Sequence, residues 1–320
     1  MQTQYSLDEI RDLRFSVSRE FLSGSGMEIG AGVNPQRLPD GVFCQYFDKH
    51  DKEFVERFFG EGRHLLYEIL PLDDVPVFFP KGADFLIAHN VLEHCENPIA
   101  TLVEWISYVR EGGVLVIGLP LPDRCLNDSR RVMTPLRHVL DDYLFDRTQE
   151  DFESCEHIYS FRLGWRDDKE SLAKKEYLDF VQDEALRKRH DIHWHIGDYE
   201  FWSGVVEAAF YFSGKSHDML ATTKSPEALF VIRVGPPTEP AIPPSLRFEL
   251  SAYSHRLEIA ANKLAQLGTT SADVTALLQE LQKRSNDAEI LSCELNRILR
   301  SRSWKVTAPL RSLFALLRGT

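Results

Sequence analysis

The stretch Gly26-Met27-Glu28-Ile29-Gly30-Ala31-Gly32 decides the fold, because a short apolar run here ends in two glycines that flank one small residue. The run is too short for a helix and is typical of a buried strand. Gly30 and Gly32 allow a tight turn in which no Cβ blocks a ligand. We interpret the stretch as the first strand of a parallel sheet and the turn after it as a site for a nucleotide-like molecule.

The residues after the turn restrict the ligand. A dinucleotide site has a third glycine and a pyrophosphate at a helix N-terminus, whereas Val33-Asn34-Pro35 follows here. Pro35 lacks a backbone N–H and disfavours helical geometry at Asn34. The sequence therefore favours a nucleoside without phosphates, and it disfavours a nicotinamide-dependent oxidoreductase.

Three later segments, with the glycine turn, point to one known family. They are Ala83 to His94 (ADFLIAHNVLEH), Asn97-Pro98, and Val109 to Ile117 (VREGGVLVI). In order and spacing they resemble the fourth strand, the Leu-Glu-His segment and the Gly-Gly turn of class I S-adenosylmethionine-dependent methyltransferases. The resemblance covers roughly residues 20 to 235. It implies an α/β fold, a Rossmann-like doubly wound seven-stranded sheet with an antiparallel last strand, and S-adenosylmethionine as cofactor.

Two acidic residues are candidates for the cofactor site. Asp48 ends a second strand predicted over residues 42 to 47, where a carboxylate can accept hydrogen bonds from ribose hydroxyls. The alternative is that it caps a helix starting near Lys52. Glu68 lies in a third strand predicted over residues 64 to 69, and the resemblance implies a place near the adenine.

The remaining cofactor candidates follow from strand ends. His89 and Asn90 come directly after a buried strand predicted over residues 85 to 88, at the carboxyl end where ligands bind in open α/β sheets. The full predicted cofactor site is Glu28, Gly30, Ala31, Gly32, Asp48, Glu68, His89 and Asn90. Glu93-His94 next to it is either an acceptor-facing pair or the polar start of a helix that runs through Trp105.

Residues 121 to 165 form a loop-rich insertion, and insertions of this length in compact domains are usually functional. The insertion contains His138, and further along His193 and His195 alternate with apolar residues, so that on a strand both imidazoles share one face. The pair could bind a metal with His138 or Asp142, supply a general base, or be hydrogen-bonded structure. We assign His138, His193 and His195 as candidate catalytic residues and assign no metal ligand.

A second resemblance concerns the acceptor. Thr134-Pro135-Leu136-Arg137-His138, Asp142-Tyr143 and the later His-x-His are similar to segments of methyltransferase-domain proteins found among bacterial surface-polysaccharide genes. This resemblance implies that the methyl acceptor is an oxygen on a sugar or surface glycan, or on another small molecule.

The C-terminal quarter has a different organisation. We predict a methyltransferase domain over residues 1–235, a proline-rich linker over 236–245, a helical coiled-coil segment over 246–300 and a basic amphipathic tail over 301–320. The coiled coil either self-associates into a homo-oligomer or folds back on the domain. The tail is basic and apolar, with no acidic residue, so residues 301–318 suit either an anionic membrane surface or a partner protein.

Composition limits the setting. The 320 residues are 43% hydrophobic, and the formal net charge of -12 argues against nucleic-acid binding. The five cysteines are odd in number and lack a Cys-x-x-Cys pair, which indicates a reducing compartment. With no signal-peptide pattern and no membrane-spanning run, we expect a cytoplasmic protein, able to contact the inner face of the membrane.

The sequence leaves two functional hypotheses. The first is methyl transfer from S-adenosylmethionine to an acceptor oxygen. The second is a non-catalytic scaffold whose coiled coil and basic tail organise glycan-assembly enzymes at the membrane.

Overall fold

Seven strands among the described residues form one mixed sheet with the order β3-β2-β1-β4-β5-β7-β6 in the computed structural model. The structure describes residues 7–59, 64–123, 133–144, 193–239, 241–247 and 249–251. The strands are β1 (Ser25–Ile29), β2 (Phe43–Asp48), β3 (Ile69–Pro71), β4 (Ala83–His89), β5 (Val109–Leu119), β6 (Lys215–Thr223) and β7 (Ala228–Pro237). The helices are α1 (Leu7–Phe21), α2 (Lys52–Phe59), α3 (Val75–Phe78), α4 (Pro98–Tyr108), α5 (Leu136–Leu144) and α6 (Tyr199–Ser213).

The first five strands run parallel and β7 runs antiparallel to both β5 and β6. The strand order reverses between β1 and β4, which are hydrogen-bonded neighbours with Ile29 opposite Ala88. In open α/β sheets such a reversal leaves a crevice at the carboxyl ends of the strands. The fold therefore predicts a ligand site at the turns after β1 and β4.

Helix α1 covers one face of the central strands. Its Val17 belongs to a buried cluster with Phe85 and Ile87 of β4, and the cluster also contains Leu22, Val114, Val116, Leu229 and Val231. The apolar stripe of α1 is needed to cover β4, β5 and β7, whose buried side chains face it.

The alternate residues of the same strands are buried as well, so both faces of the sheet are covered. Helix α4 contacts β4, β5 and α6, and α6 also contacts α5. A Cβ on Gly204 of α6 would lie 2.9 Å from Leu136 Cδ2, so this glycine lets α5 approach closely. Helix α5 thereby joins the layer of helices that α4 and α6 form.

The predicted seven-stranded, doubly wound sheet with an antiparallel last strand is confirmed in its strand order and directions. The third strand is misplaced, since it covers Ile69–Pro71 and not residues 64 to 69. Residues 64 to 68 include the apolar run Leu65-Leu66-Tyr67 that a strand would have, yet pairing with β2 begins only at Ile69 and Leu66 is 100% exposed. The predicted Gly-Gly turn is a bulge inside β5, where Gly112 has φ +78°.

The chain divides into two compact units, Met1–Pro240 and Ala241–Thr320. Pro236 and Pro237, assigned to the linker from the sequence, belong to β7. In the second unit, the amides of Leu246 and Arg247 donate to the carbonyl of Pro243 at 3.0 and 3.2 Å, as in a helical turn. Of the predicted coiled-coil segment over residues 246–300, the structure describes 246, 247 and 249–251, and the rest of the segment and the basic tail lie outside the described residues. Within the described parts of the chain, no helix has both the length and the apolar character needed to cross a bilayer.

Replacing Gly30 by alanine should destabilise the fold by more than 2 kcal/mol. Gly30 has φ +67°, which costs about 1–2 kcal/mol for an L-residue, and the new Cβ would lie 2.6 Å from Val91 Cγ2. Denaturant unfolding measures the change in the free energy of unfolding.

Gly41→Ala is the matched control, because Gly41 has φ +83° but its Cβ would meet no described atom within 4 Å. It should lose only the backbone contribution of about 1–2 kcal/mol. Equal losses in the two variants would contradict the packing role of Gly30.

Candidate functional site

The turn after β1 and the turn after β4 meet at the carboxyl edge of the sheet. The Gly30 amide donates to the carbonyl of Phe47 in β2 at 2.9 Å, and the Asn90 amide donates to the carbonyl of Gly118 in β5 at 2.8 Å. Asn90 has φ +55°, an uncommon conformation for a residue other than glycine that occurs disproportionately at ligand sites. Both turns are thus fixed through their backbones, and the Ala31 carbonyl accepts from the Asn34 amide at 3.1 Å within the first turn.

Asp48 ends β2 beside this turn. One carboxylate oxygen accepts from the His50 amide at 2.9 Å, and burial raises the pKa of Asp48. Helix α2 is capped by Asp51, whose Oδ1 accepts from the Phe54 amide at 2.7 Å. The structure therefore excludes the alternative in which Asp48 caps that helix, and it leaves the carboxylate at the carboxyl edge of the sheet.

Glu28 is buried one residue before the end of β1. Its two oxygens accept from the Gln36 amide at 3.1 and 2.8 Å, so it holds the loop after the glycine turn against the strand. Burial raises the pKa of Glu28 to about 8 from an ordinary 4.5, although the Gln36 hydrogen bond and the positive charge of Arg14 act in the opposite direction. The Glu28 carboxyl therefore fixes the loop that follows the glycine turn.

Glu68 is not brought to the carboxyl edge. It precedes β3, its side chain is 83% exposed, and it pairs with Lys52 at 3.0 Å. The residue of β3 opposite Asp48 is Pro71, at the other end of the strand. The misplaced third strand is the reason that Glu68 was assigned to this site.

His89 lies at the end of β4 in a buried polar group that sequence reasoning missed. Arg14 of α1 donates from Nε to Glu227 Oε1 at 2.9 Å and also contacts Oε2 with Nη2. A Cβ on Gly118 would lie 2.3 Å from His89 Nδ1 and 3.1 Å from Glu227 Oε2, so only glycine leaves room for both. Arg14 and Glu227 are 213 positions apart and no local pattern links them.

Burial places the pKa of His89 well below its ordinary 6.5, and the charge of Arg14 lowers it further. The imidazole is therefore neutral at physiological pH. A neutral, weakly basic imidazole can bind a ligand through hydrogen bonds, but it is a poor acceptor for a proton removed from a hydroxyl.

Beyond the turn after β4, two groups of histidines and carboxylates come together. In the first, Glu93 and His94 of the short 3-10 helix Leu92–His94 lie beside His193. His94 Nε2 is 4.0 Å from Glu93 Oε1, and the rings of His94 and His193 meet edge to face at 4.7 Å. Glu93 therefore does not start α4, which begins at Pro98.

In the second group, one carboxylate oxygen faces two imidazoles. Asp142 Oδ2 is 3.2 Å from His138 Nε2 and 3.4 Å from His195 Nε2. His138 and Asp142 are four residues apart on α5, which places them on one face of that helix. The side chains of Asp142 and His195 are each only 2% exposed.

Backbone hydrogen bonds hold His195 on both sides. The Trp194 amide donates to the Glu93 carbonyl at 2.7 Å, and the Ile196 amide donates to Thr134 Oγ1 at 3.0 Å. The Thr134 amide in turn donates to the Ile196 carbonyl at 2.8 Å. Residues 193 to 196 form no strand, so His193 and His195 reach different groups and do not share one face as expected.

The two groups are connected to the carboxyl edge of the sheet through a short path along the chain. Glu93 is three residues after Asn90. Asn97 Nδ2 also donates to the Asp142 carbonyl at 3.1 Å, while its Oδ1 caps α4. The structure thus unites His138 with His195, pairs His193 with His94, and anchors both groups to the segment that follows β4.

Replacing Glu28 by glutamine should flatten the dependence of stability on pH. Between pH 4.5 and about 8 the unfolded chain ionises this carboxyl while the folded chain keeps it protonated, so the free energy of unfolding falls as pH rises. A neutral amide removes that contribution. Denaturant unfolding at several pH values across this window measures the slope.

Glu68→Gln is the control, since Glu68 is exposed. His89 contributes an opposite trend, because its depressed pKa makes the folded state lose stability as pH falls below 6.5. This trend is common to the wild type and both variants, so it does not affect the comparison. If the free energy of unfolding changes with pH equally in the wild type and in Glu28→Gln, the pKa of Glu28 is not raised by burial.

Comparison with known proteins gives structural likenesses only. No protein-family profile matches the sequence, and no curated protein matches it either. A carbon methyltransferase, CurJ, superposes with a TM-score of 0.34 at 14% identity over 73% of this chain and 60% of the other. This chain thus spans less than two thirds of that protein.

Two further solved structures are similar to this chain. An O-methyltransferase family protein from Burkholderia thailandensis gives a TM-score of 0.37 at 14% identity, over 71% of this chain and 56% of the other. The cyclopropane synthase MmaA2 from Mycobacterium tuberculosis gives 0.35 at 10% identity, over 94% of this chain and 82% of the other. At these values the fold assignment rests on the strand order of this chain itself.

Proposed function

We propose that this chain transfers a methyl group from S-adenosylmethionine to an acceptor, an oxygen on a sugar or surface glycan. The observation that carries the proposal is the contact between the Gly30 turn and Val91 at the reversal of strand order, with Asp48 at the end of the neighbouring β2. This combination suits a nucleoside whose ribose is bound by a carboxylate.

The turn itself argues for a ligand without phosphates. Gly30, Ala31 and Gly32 leave the backbone accessible, but Pro35 follows and no helix begins at the turn. A phosphate would need a series of backbone N–H donors at a helix N-terminus. A sulfonium nucleoside needs none, because its amino-acid part and ribose carry the polar groups.

Methyl transfer requires the donor sulfur, the methyl carbon and the acceptor oxygen to be nearly in line. Holding reactants in such an arrangement can lower the barrier by about 7–11 kcal/mol. The acceptor hydroxyl must also lose a proton, for which imidazoles are suited near neutral pH. The histidines near the turn after β4, His138, His193 and His195, are our candidates for that role, whereas the low pKa of His89 makes it unsuitable.

The alternative is a scaffold without turnover, and it rests on the sequence of the C-terminal segments. The tail over residues 301–318 combines Arg302, Lys305, Arg311 and Arg318 with apolar residues and no acid. Such a segment would bring a cofactor-binding domain to an anionic surface. A scaffold would bind the cofactor and form no product, which separates the two functions.

Formation of S-adenosylhomocysteine by the full chain with a surface-glycan acceptor tests the proposal, and mass spectrometry of the glycan should find one added methyl group. His138→Ala, His193→Ala and His195→Ala should be compared with His64→Ala, an exposed histidine away from the site. Loss of the proton acceptor should lower kcat by about 10²–10⁴-fold.

The results of these assays test the identity of the proton acceptor separately from the choice between an enzyme and a scaffold. Full activity in all three variants would exclude these histidines as the proton acceptor while leaving methyl transfer intact. Cofactor binding without S-adenosylhomocysteine, across glycan acceptors, would favour the scaffold.

Asp48→Asn should weaken S-adenosylmethionine binding by about 10- to 150-fold, since hydrogen bonds to a charged group contribute about 1.5–3 kcal/mol. Isothermal titration measures the dissociation constant. Asp40→Asn is the control, because Asp40 is an exposed loop residue of the same type. Unchanged affinity in Asp48→Asn would show that the ribose is bound elsewhere.

A further inference from the structure

We propose that His138, Asp142 and His195 bind a divalent first-row transition metal ion through Nε2 of the two imidazoles and Oδ2 of the carboxylate. The proposal stands on the geometry of these three side chains and does not depend on methyl transfer. It revises the initial assignment of His138 and His195 as candidate proton acceptors, because an imidazole nitrogen bound to a metal cannot accept a proton.

The distances between the donor atoms fit a shared ion. Metal–nitrogen and metal–oxygen distances of about 2.0–2.2 Å at tetrahedral angles separate neighbouring ligand atoms by about 3.4 Å. Asp142 Oδ2 lies 3.2 Å from His138 Nε2 and 3.4 Å from His195 Nε2. A donor atom of each of the three side chains lies within 4.8 Å of the other two, close to the separation that the ligands of one ion have.

The same distances fit direct ion pairs less well. A hydrogen bond from a protonated imidazole to a carboxylate is about 2.7–2.9 Å long. Both nitrogens here are farther than this from the same oxygen atom. One carboxylate oxygen that faces two Nε2 atoms at these distances is compatible with a cation shared among the three side chains.

Burial strengthens the argument. The side chains of Asp142 and His195 are almost completely removed from solvent, and in such surroundings water screens the attraction between a carboxylate and a divalent ion only weakly. A divalent ion bound by two neutral imidazoles and one carboxylate requires no proton on either histidine.

The ligands are held in place before any ion binds. His138 and Asp142 are one turn apart on α5, and Asn97 fixes the last turn of that helix through the Asp142 carbonyl. The hydrogen bonds of Trp194 and Ile196 fix the backbone on both sides of His195. Supporting contacts of this kind raise metal affinity, because little order must be created on binding.

The donor set selects the class of ion. Two imidazoles with one carboxylate suit Zn²⁺, Fe²⁺ or Co²⁺, whereas Mg²⁺ and Ca²⁺ prefer ligands that are all oxygen. Three protein ligands also leave at least one coordination position for a water or a ligand hydroxyl. If the proposed methyl transfer is also correct, an acceptor hydroxyl bound there would lose its proton more readily.

The experiment uses the full chain, stripped with a chelator and titrated with Co²⁺ while its visible absorption is recorded, and with Zn²⁺ by calorimetry. We expect one tightly bound ion per chain. Because loss of a supporting contact alone weakens metal binding by about 10–100-fold, Asp142→Asn and His195→Ala should each weaken it by more than about 100-fold.

His64→Ala should bind the ion as the wild type does, and circular dichroism with S-adenosylmethionine titration checks the fold of every variant. Asp142→Asn keeps the shape of the side chain, so it remains informative if His195→Ala does not fold.

The outcomes for the wild-type chain separate the two proposals. A wild-type chain that binds the metal ion but does not bind S-adenosylmethionine would overturn the proposed function and support the metal site. No bound ion in the wild type, or equal affinity in wild type and Asp142→Asn, would overturn the site. Loss of the ion only in His193→Ala would also overturn it, by assigning the ion to the group of Glu93, His94 and His193.

Discussion

The contact between the turn after β1 and the turn after β4 is the constraint on which the rest of the site depends. Gly30 must adopt a positive φ and must lack a Cβ, because Val91 occupies the space where one would lie. The contact brings the ends of the two strands together where the strand order reverses. Asp48 and Asn90 reach the same edge because their strands are paired with β1 and β5 through the backbone. The close approach of the two turns therefore shapes this edge of the sheet, and the side chains of Asp48 and Asn90 lie at the same edge.

A single cation organises the buried polar groups on the α1 side of this edge. Arg14 forms a two-point contact with Glu227 and its charge also acts on Glu28 and His89. Buried ion pairs contribute little net stability, since desolvation offsets the attraction, but removing one partner leaves a costly buried charge. Arg14 thus ties the N-terminal helix to the start of β7 in one orientation. Burial holds the pKa of His89 below its ordinary value, and the Arg14 charge lowers it further.

The sheet could be predicted from the sequence, because buried strands and glycine turns leave local signals and the family resemblance supplies their order. The bounds of the third strand could not, since residues 64 to 68 are apolar enough for a strand and only the pairing with β2 shows where the strand begins. The pairing of Arg14 with Glu227 leaves no local signal at all, as each resembles a surface charge. His138 and His195 were found by type and pattern, yet their meeting at Asp142 depends on the packing of α5 against α6 and α4.

The described part of the insertion, residues 133 to 144, and the later His-x-His segment contribute to the site because they return to the same place. Residues 133 to 144 and 193 to 196 are hydrogen-bonded to each other through Thr134 and Ile196, and both are bonded to the segment after β4 through Asn97 and Glu93. Each of these bonds involves at least one backbone group, and backbone positions vary less than those of long side chains. A displacement of 1 Å can lower a rate by about 100-fold when reacting groups must be aligned. A histidine group attached in this way stays at a constant distance from the turn after β4, and so from the edge where the cofactor is proposed to bind.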